Sequence, residues 1–192
     1  MNTTDADLDY RSILWKSFQV LLALVLLSAA VGFTFRESIL ELGHGFVERW
    51  GGPGILLGFF LPDAFAVPIP HDLFLLLGVA GDMPRLEIVA WATTGSLLGG
   101  TTAWCLAQVV RAFPPLARRL EARSAAAQAL IERHGVKALA IGALTPLPYS
   151  LMCYATGILG MRFGPFFGVS LLRVVRVVLY LWLVELGLVA TG

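Results

Sequence analysis

Two apolar stretches in this chain are long enough to cross a bilayer, and each is broken at its centre by Pro-x-Pro. The first, GILLGFFLPDAFAVPIPHDLFLLLGVAG (Gly54 to Gly81), breaks at Pro68-Ile69-Pro70. The second, VKALAIGALTPLPYSLMCYATGILGM (Val136 to Met161), breaks at Pro146-Leu147-Pro148. A proline inside a helix removes one backbone donor, and its ring collides with the preceding turn. In hydrocarbon no water replaces the lost partners, so irregular backbone survives only against protein or a watery cavity. The halves on either side, such as 54–61 and 71–81, are too short to span. Each stretch is therefore expected to be a re-entrant hairpin of two half-helices meeting at a broken tip. The plainer alternative is a spanning helix that the prolines merely kink.

Displacing the chain by 78 positions puts Pro68 on Pro146, Pro70 on Pro148, Leu73 on Leu151 and Met83 on Met161 without a gap. Each hairpin is followed by one apolar run, about Leu86–Val109 and Gly164–Ala190. The expected repeats are 54–109 and 136–190, joined by a basic, helix-forming linker at 110–135. A hairpin that returns to its own side, followed by one crossing, inverts the second copy. Such inverted-topology repeats typify secondary transporters, whose sites lie near the midplane where broken helices meet.

Composition agrees. The chain is 57% hydrophobic and 14% charged, where a soluble domain carries about 25% charge. The expected class is all-α integral membrane. Ile13 to Phe35 reads as an N-terminal anchor helix, favoured over a cleaved signal because the start is acidic (Asp5, Asp7, Asp9) and the apolar run continues to Phe35. Residues 36–52 suit a short interfacial helix or a polar loop. The domain expectation is thus 1–52 for the anchor and interfacial segment and 53–192 for the repeated unit. Basic residues crowd 110–137 (Arg111, Arg118, Arg119, Arg123, Arg133, Lys137), which makes that side cytoplasmic. The N-terminus is then cytoplasmic and the C-terminus external. A net charge of +1 gives no basic surface for nucleic acid. Membrane lipids are the expected partners, with a homo-oligomer possible. Cys105 and Cys153 both lie in apolar runs, form no C-x-x-C, and read as small buried residues.

The polar residues within the apolar runs are the candidate site. Arg173 and Arg176 lie roughly 14 and 18 Å into the last run at 1.5 Å per residue, and at i and i+3 they share a face. An arginine at the centre of a bilayer costs at least about 2.5 kcal/mol on insertion scales, so something must offset it. The guanidinium fork fits a phosphate or carboxylate. The choice is between a phosphate-binding pair and an internal ion pair to Asp63, Asp72 or Glu185. Asp63 and Asp72 flank the first tip and are candidates for proton or cation coupling, or are hydrated residues at a shallow mouth. Thr145, Tyr149, Ser150 and Tyr154 can line the second tip, while Pro68, Pro70, Pro146, Pro148 and Gly157 are expected to shape the breaks. His71 is a weaker candidate. Glu185 and Arg162 read as interfacial. The chain has no H-E-x-x-H, G-x-S-x-G or Walker loop, and no clustered His and Cys. Neither an enzyme nor a cofactor or metal site is expected.

GALTPLPYSLMCYATGILGMRFGPFFGVSLLRVVR resembles the DedA superfamily, also called the VTT or SNARE-associated domain, over about residues 50–190. The spacing from Pro146 to Gly157, Met161 and Phe166 is similar to that family's core, and Pro68-Ile-Pro70-His71-Asp72 is similar to its P-x-P-G-[ED], with His71 in place of glycine. The TPLPY hairpin followed by Arg173-x-x-Arg176 resembles the YqaA-like branch. The resemblance implies movement of polyprenyl-phosphate carriers or phospholipids between leaflets of a bacterial inner membrane. Many members carry arginine three residues before and three after the hairpin proline. Here those positions are Ala143 and Tyr149, so the proton-coupling role proposed for those arginines does not transfer. Three functions follow as expectations: a flippase or scramblase for a phosphate-bearing lipid, a proton- or cation-coupled solute transporter using Asp63 and Asp72, and a membrane scaffold without transport.

Overall fold

The computed structural model describes residues 19, 37–67, 69–111, 113–144 and 149–189. The anchor expected at Ile13–Phe35 lies almost wholly outside them, as do Pro68, Thr145, Pro146 and Pro148. Among the described residues every regular element is a helix. Helix α1 covers 37–49. It is followed by α2 (Gly51–Phe65), α3 (Asp72–Ala80), α4 (Arg85–Val110), α5 (Pro114–His134), α6 (Val136–Leu144), α7 (Tyr149–Ile158), α8 (Phe163–Ser170) and α9 (Arg173–Val189).

Length separates these helices into two kinds. With 26 residues, α4 is about 39 Å long and exceeds a hydrocarbon core of about 30 Å. The segment Phe163–Leu186, formed by α8 and α9, is the one described stretch both long and apolar enough to cross. In α4 the apolar character is diluted by Thr93, Thr94, Gly95, Ser96, Gly99, Gly100, Thr101 and Thr102. The helices α3, α6 and α7, with nine, nine and ten residues, reach only about 14–15 Å. Each is about half the length that a crossing needs.

The first break falls later than Pro62 implies. Helix α2 runs through Pro62 to Phe65 and ends at Ala66, whose φ of 51° is left-handed. One proline costs a helix a single donor, and α2 keeps its form because it is packed along α4. That packing is close. A side-chain carbon at Gly99 would stand 2.7 Å from the Phe60 carbonyl oxygen, and Gly95 similarly abuts Leu56. The pairs Gly52–Trp91, Gly95–Leu56 and Gly99–Phe60 keep a constant offset, so α2 and α4 run parallel. The pairs Gly100–Cys153 and Trp104–Gly157 do the same for α4 and α7. Gly157 is therefore not a breaker of the second hairpin. It lies inside α7, where a side chain would meet the Trp104 carbonyl at 2.6 Å. Contacts of Arg85 with Glu185 and of Ser96 with Arg173 show that α9 runs antiparallel to α4.

Two apolar clusters divide the core along α4. One joins its first half (Ile88, Ala92) to Ile55 and Phe59 of α2, Leu75 of α3 and Val177, Tyr180 and Leu181 of α9. The other joins its second half (Ala103, Ala107) to Ile131, Leu139, Met152 and Phe166. The segment 110–135 is thus more than a linker: α5 exposes Arg118, Arg119 and Arg123 and buries Ser124 and Ile131. The outer face of α9 is apolar. On α9, Val175, Val178, Leu179, Trp182 and Leu186 are exposed, while Arg173, Arg176, Val177, Tyr180 and Leu181 are buried. A helix that turns its arginines inward and its valines outward is arranged for a lipid surround. Cys153 is buried, but Cys105 is exposed, against expectation. It sits on the outer side of α4, where an apolar run faces outward rather than into a core.

Candidate functional site

Between the two clusters, half-way along α4, lies a buried polar knot. Ser96 is roughly 17 Å from the start of α4 and 21 Å from its end at 1.5 Å per residue. Its hydroxyl donates to Asp63 Oδ2 (2.6 Å) and accepts from Arg173 Nε (2.8 Å). The triangle closes with Arg173 Nη2 donating to the same Asp63 Oδ2 at 2.9 Å. Relative exposures of 3% for Asp63, 0% for Ser96 and 1% for Arg173 leave no water to screen them. The last turn of α2, the middle of α4 and the first turn of α9 thus each contribute one member.

The second hairpin supplies the fourth side. The Arg173 guanidinium carbon lies 4.3 Å from the centroid of the Tyr149 ring at the start of α7, a cation–π contact that gains strength when desolvated. The Tyr149 hydroxyl is buried near Ser170 and Cys153, with no partner at hydrogen-bonding geometry among the described residues. The Tyr154 hydroxyl donates to the Ala64 carbonyl at 2.6 Å. That carbonyl belongs to the end of α2, where the helix has no amide left to offer. One tyrosine of the second hairpin therefore caps the broken end of the first.

Arg173 is not fully used. Its Nη1 is buried and has no hydrogen-bond partner among the described residues. One turn on, Arg176 is buried, with its guanidinium 5.0 Å from the Tyr180 ring centroid. His71, immediately before α3, has its ring 5.1 Å from that of Phe59 and its Nε2 3.9 Å from Asp72 Oδ1. Asp72 begins α3 and keeps 24% of its side chain exposed. The charges of Asp63, Asp72 and Arg173 all act on Arg176 and on His71, so these groups share one electrostatic site. Asp63 is hydrogen-bonded within it, and Asp72 stands at its edge.

Of the expected site residues, Arg173, Tyr149 and Asp63 come together directly, and Arg176 lies one turn further along α9 against Tyr180. Ser150 is buried beside Tyr149 on α7. Pro70 opens the turn into α3 through its carbonyl, which accepts from Leu73 at 3.1 Å. Thr145 falls outside the described residues. Of the three internal acids considered for Arg173, the structure selects Asp63. Glu185 pairs instead with Arg85 at the other end of α4. Ser96 was not anticipated, since it stood in a run of small residues that reads as helix packing. Its only signal was a hydroxyl on the same α4 face as Gly99 and Gly100. Among the described residues no group of three or more His, Cys, Asp or Glu could hold a metal ion.

An apolar groove of about 240 Å³ runs along α2 on the face turned away from α4, lined by Phe46, Trp50, Leu57, Leu61, Pro62 and Ile69 among others. Pro62 is the residue next to Asp63.

No curated protein and no solved structure matches the chain. The family model described as the VTT domain matches residues 67–186, a span that holds the first break, α4, the second hairpin and both buried arginines. On that match the chain belongs to the VTT domain family, the DedA membrane proteins.

Proposed function

We propose that this protein moves a phosphate-bearing lipid, a phospholipid or a polyprenyl phosphate, between membrane leaflets, with the head group held by Arg173 and Arg176. The observation that carries this reading is a buried guanidinium level with the middle of α4, with one nitrogen, Nη1, that has no hydrogen-bond partner among the described residues. An arginine kept only for an internal salt bridge has no need of a second arginine one turn away, and two cations together suit an anion of more than one oxygen. The apolar groove beside Pro62 offers a place for a hydrocarbon tail. The half-helix lengths and the antiparallel run of α4 and α9 support an inverted repeat with 54–109 and 136–190 as its copies. On the same reading the protein sits in a bacterial inner membrane with 110–137 cytoplasmic, belongs to the YqaA-like branch, and is not an enzyme.

The test is leaflet exchange of labelled phosphatidylglycerol and, separately, of a polyprenyl phosphate by purified protein in liposomes. Arg173→Ala alone would strand Asp63, so the informative variant is Arg173→Gln combined with Asp63→Asn, which removes both charges. Loss of transfer with retained fold supports the head-group role; full transfer refutes it. The alternative, a proton- or cation-coupled solute transporter, draws on the burial of Asp63 beside the break. It requires transport that loses its pH dependence in Asp63→Asn or Asp72→Asn.

A further inference from the structure

One end of the helix bundle gathers arginine. The parallel helices α4 and α7 finish near one another: a side-chain carbon at Gly160, just past α7, would stand 3.3 Å from Nη1 of Arg111, just past α4. Arg162 follows two residues later and leads into α8. Helix α5 starts three residues after Arg111 and carries Arg118, Arg119 and Arg123 in its first half, with Glu121 as the one acid there. All five arginines are exposed, and among the described residues none of them forms an ion pair. The opposite end of α4 has the other sign. Asp82, Glu87 and Glu185 lie there, and Arg85 is already taken by Glu185. Five like charges at one corner repel one another and attract an anion.

We propose that this corner docks onto the anionic lipid head groups of the leaflet on its own side, at a site separate from the buried arginines. Arg111 lies fifteen residues beyond Ser96 on α4, about 22 Å from the polar knot at 1.5 Å per residue. A lipid held here is a resident of the leaflet, and the proposal does not depend on transport. The apolar surface between the arginines selects a leaflet over a soluble anion, an acidic peptide or a nucleic acid. Val109, Phe113, Leu159 and Phe163 are 60%, 58%, 37% and 43% exposed. Phe163 is braced by Trp104, with ring centroids 5.3 Å apart. A soluble polyanion would cover the charges and leave these side chains in water. A leaflet takes both, with rings and aliphatic groups at the acyl boundary and guanidiniums among the phosphates. The charges of α5 are presented from a fixed helix, because Leu120, Ala127 and Ile131 join the cluster of Met152 and Ala155 on α7. Its hold on the leaflet is therefore also a hold on the returning arm of the expected second hairpin.

The test uses an exposed cysteine close by. Cys105 lies one turn before Val109 on the same face of α4, and Cys153 is buried, so bimane attached to the full chain reports from beside the corner. The labelled protein is reconstituted in phosphatidylcholine liposomes. Its quenching by dibrominated phosphatidylglycerol is compared with that by dibrominated phosphatidylcholine at equal mole fraction. Each arginine near the surface contributes about fivefold, so wild type should prefer phosphatidylglycerol by about tenfold or more at low salt. The preference should shrink in about 1 M salt, where the Debye length is about 3 Å. Arg111→Gln with Arg162→Gln, and Arg118→Gln with Arg119→Gln, should each bring the two lipids close to parity. These side chains are exposed, so the variants should elute from size exclusion as wild type does. The neutral pair Asp63→Asn with Arg173→Gln should leave the preference unchanged. Equal quenching by the two lipids in wild type at low salt, or a preference that ignores salt and survives both surface pairs, overturns the proposal. Displacement of phosphatidylglycerol by inorganic phosphate at constant ionic strength overturns the leaflet as the occupant. A preference that Asp63→Asn with Arg173→Gln removes, and the surface pairs do not, belongs to the buried knot. That result overturns the proposal and leaves the head-group reading standing.

Discussion

Replacing Asp63 by alanine leaves the Arg173 guanidinium buried with Ser96 as its one remaining hydrogen-bond partner. Removing one member of a buried pair costs about 3–5 kcal/mol, because the remaining charge is uncompensated. Arg173 is 1% exposed and cannot reach water without unpacking α9. The Ser96 hydroxyl softens the loss, which places the expected cost near 3 kcal/mol, about a hundredfold in the folding equilibrium. Arg173→Met, which strands Asp63, should cost a similar amount. The double variant carries neither charge and should lie well short of the sum, with a coupling of about 2 kcal/mol or more. The assay is SDS titration of protein in mild micelles, followed by circular dichroism and by tryptophan fluorescence. Single-variant costs below about 1 kcal/mol, or additivity within about 0.5 kcal/mol, would refute the reasoning, since they would mean that the two charges do not meet in the folded protein.

Other consequences are open to simple measurement. Tyr154→Phe removes the donor to the Ala64 carbonyl and should destabilise by about 1–3 kcal/mol, the cost of leaving a buried acceptor unmet; the same titration reads it. Ala66→Gly relieves a left-handed residue that carries a Cβ and should stabilise by up to about 1 kcal/mol, seen as a higher unfolding midpoint. Gly99→Val drives a branched side chain into the Phe60 carbonyl and should cost about 3 kcal/mol or prevent folding, read as loss of monodisperse protein on size exclusion. Arg85→Ala breaks a pair whose arginine is 78% exposed, and the loss should stay within about 1 kcal/mol.

The first break was visible in the sequence because proline acts locally: each one in an apolar run removes a backbone donor and disfavours a continuous helix. The sequence made the arginines visible because charge in a lipid-facing run always needs an account. What it could not supply was the partner. Asp63, Asp72 and Glu185 were equal as letters, and only the parallel packing of α2 on α4, through Gly95 and Gly99, brings Asp63 level with Ser96 and Arg173. Ser96 was hidden for the same reason, as hydroxyls and glycines both serve close helix contact. Pro62 misled on the end of α2 because tertiary packing kept the helix beyond it. Gly157 looked like part of a break because its neighbour across α4 is not adjacent in sequence. Cys105 looked buried because an apolar run does not say which of its faces meets lipid.

The bond from Tyr154 to the Ala64 carbonyl ties α7 to the end of α2. It joins the returning arm of one expected hairpin to the end of the first arm of the other, and Arg173, in contact with both Tyr149 and Asp63, adds a second, indirect tie. Two gates hung on separate hinges could open one at a time. On the transport reading proposed above, hairpins with their tips fastened to each other would move as a single rocker, one tilting inward as the other tilts outward. In such a machine the two sides of the membrane cannot be open together unless the Tyr154 link is first cut, so Tyr154→Phe is the substitution expected to turn a coupled carrier into a leak.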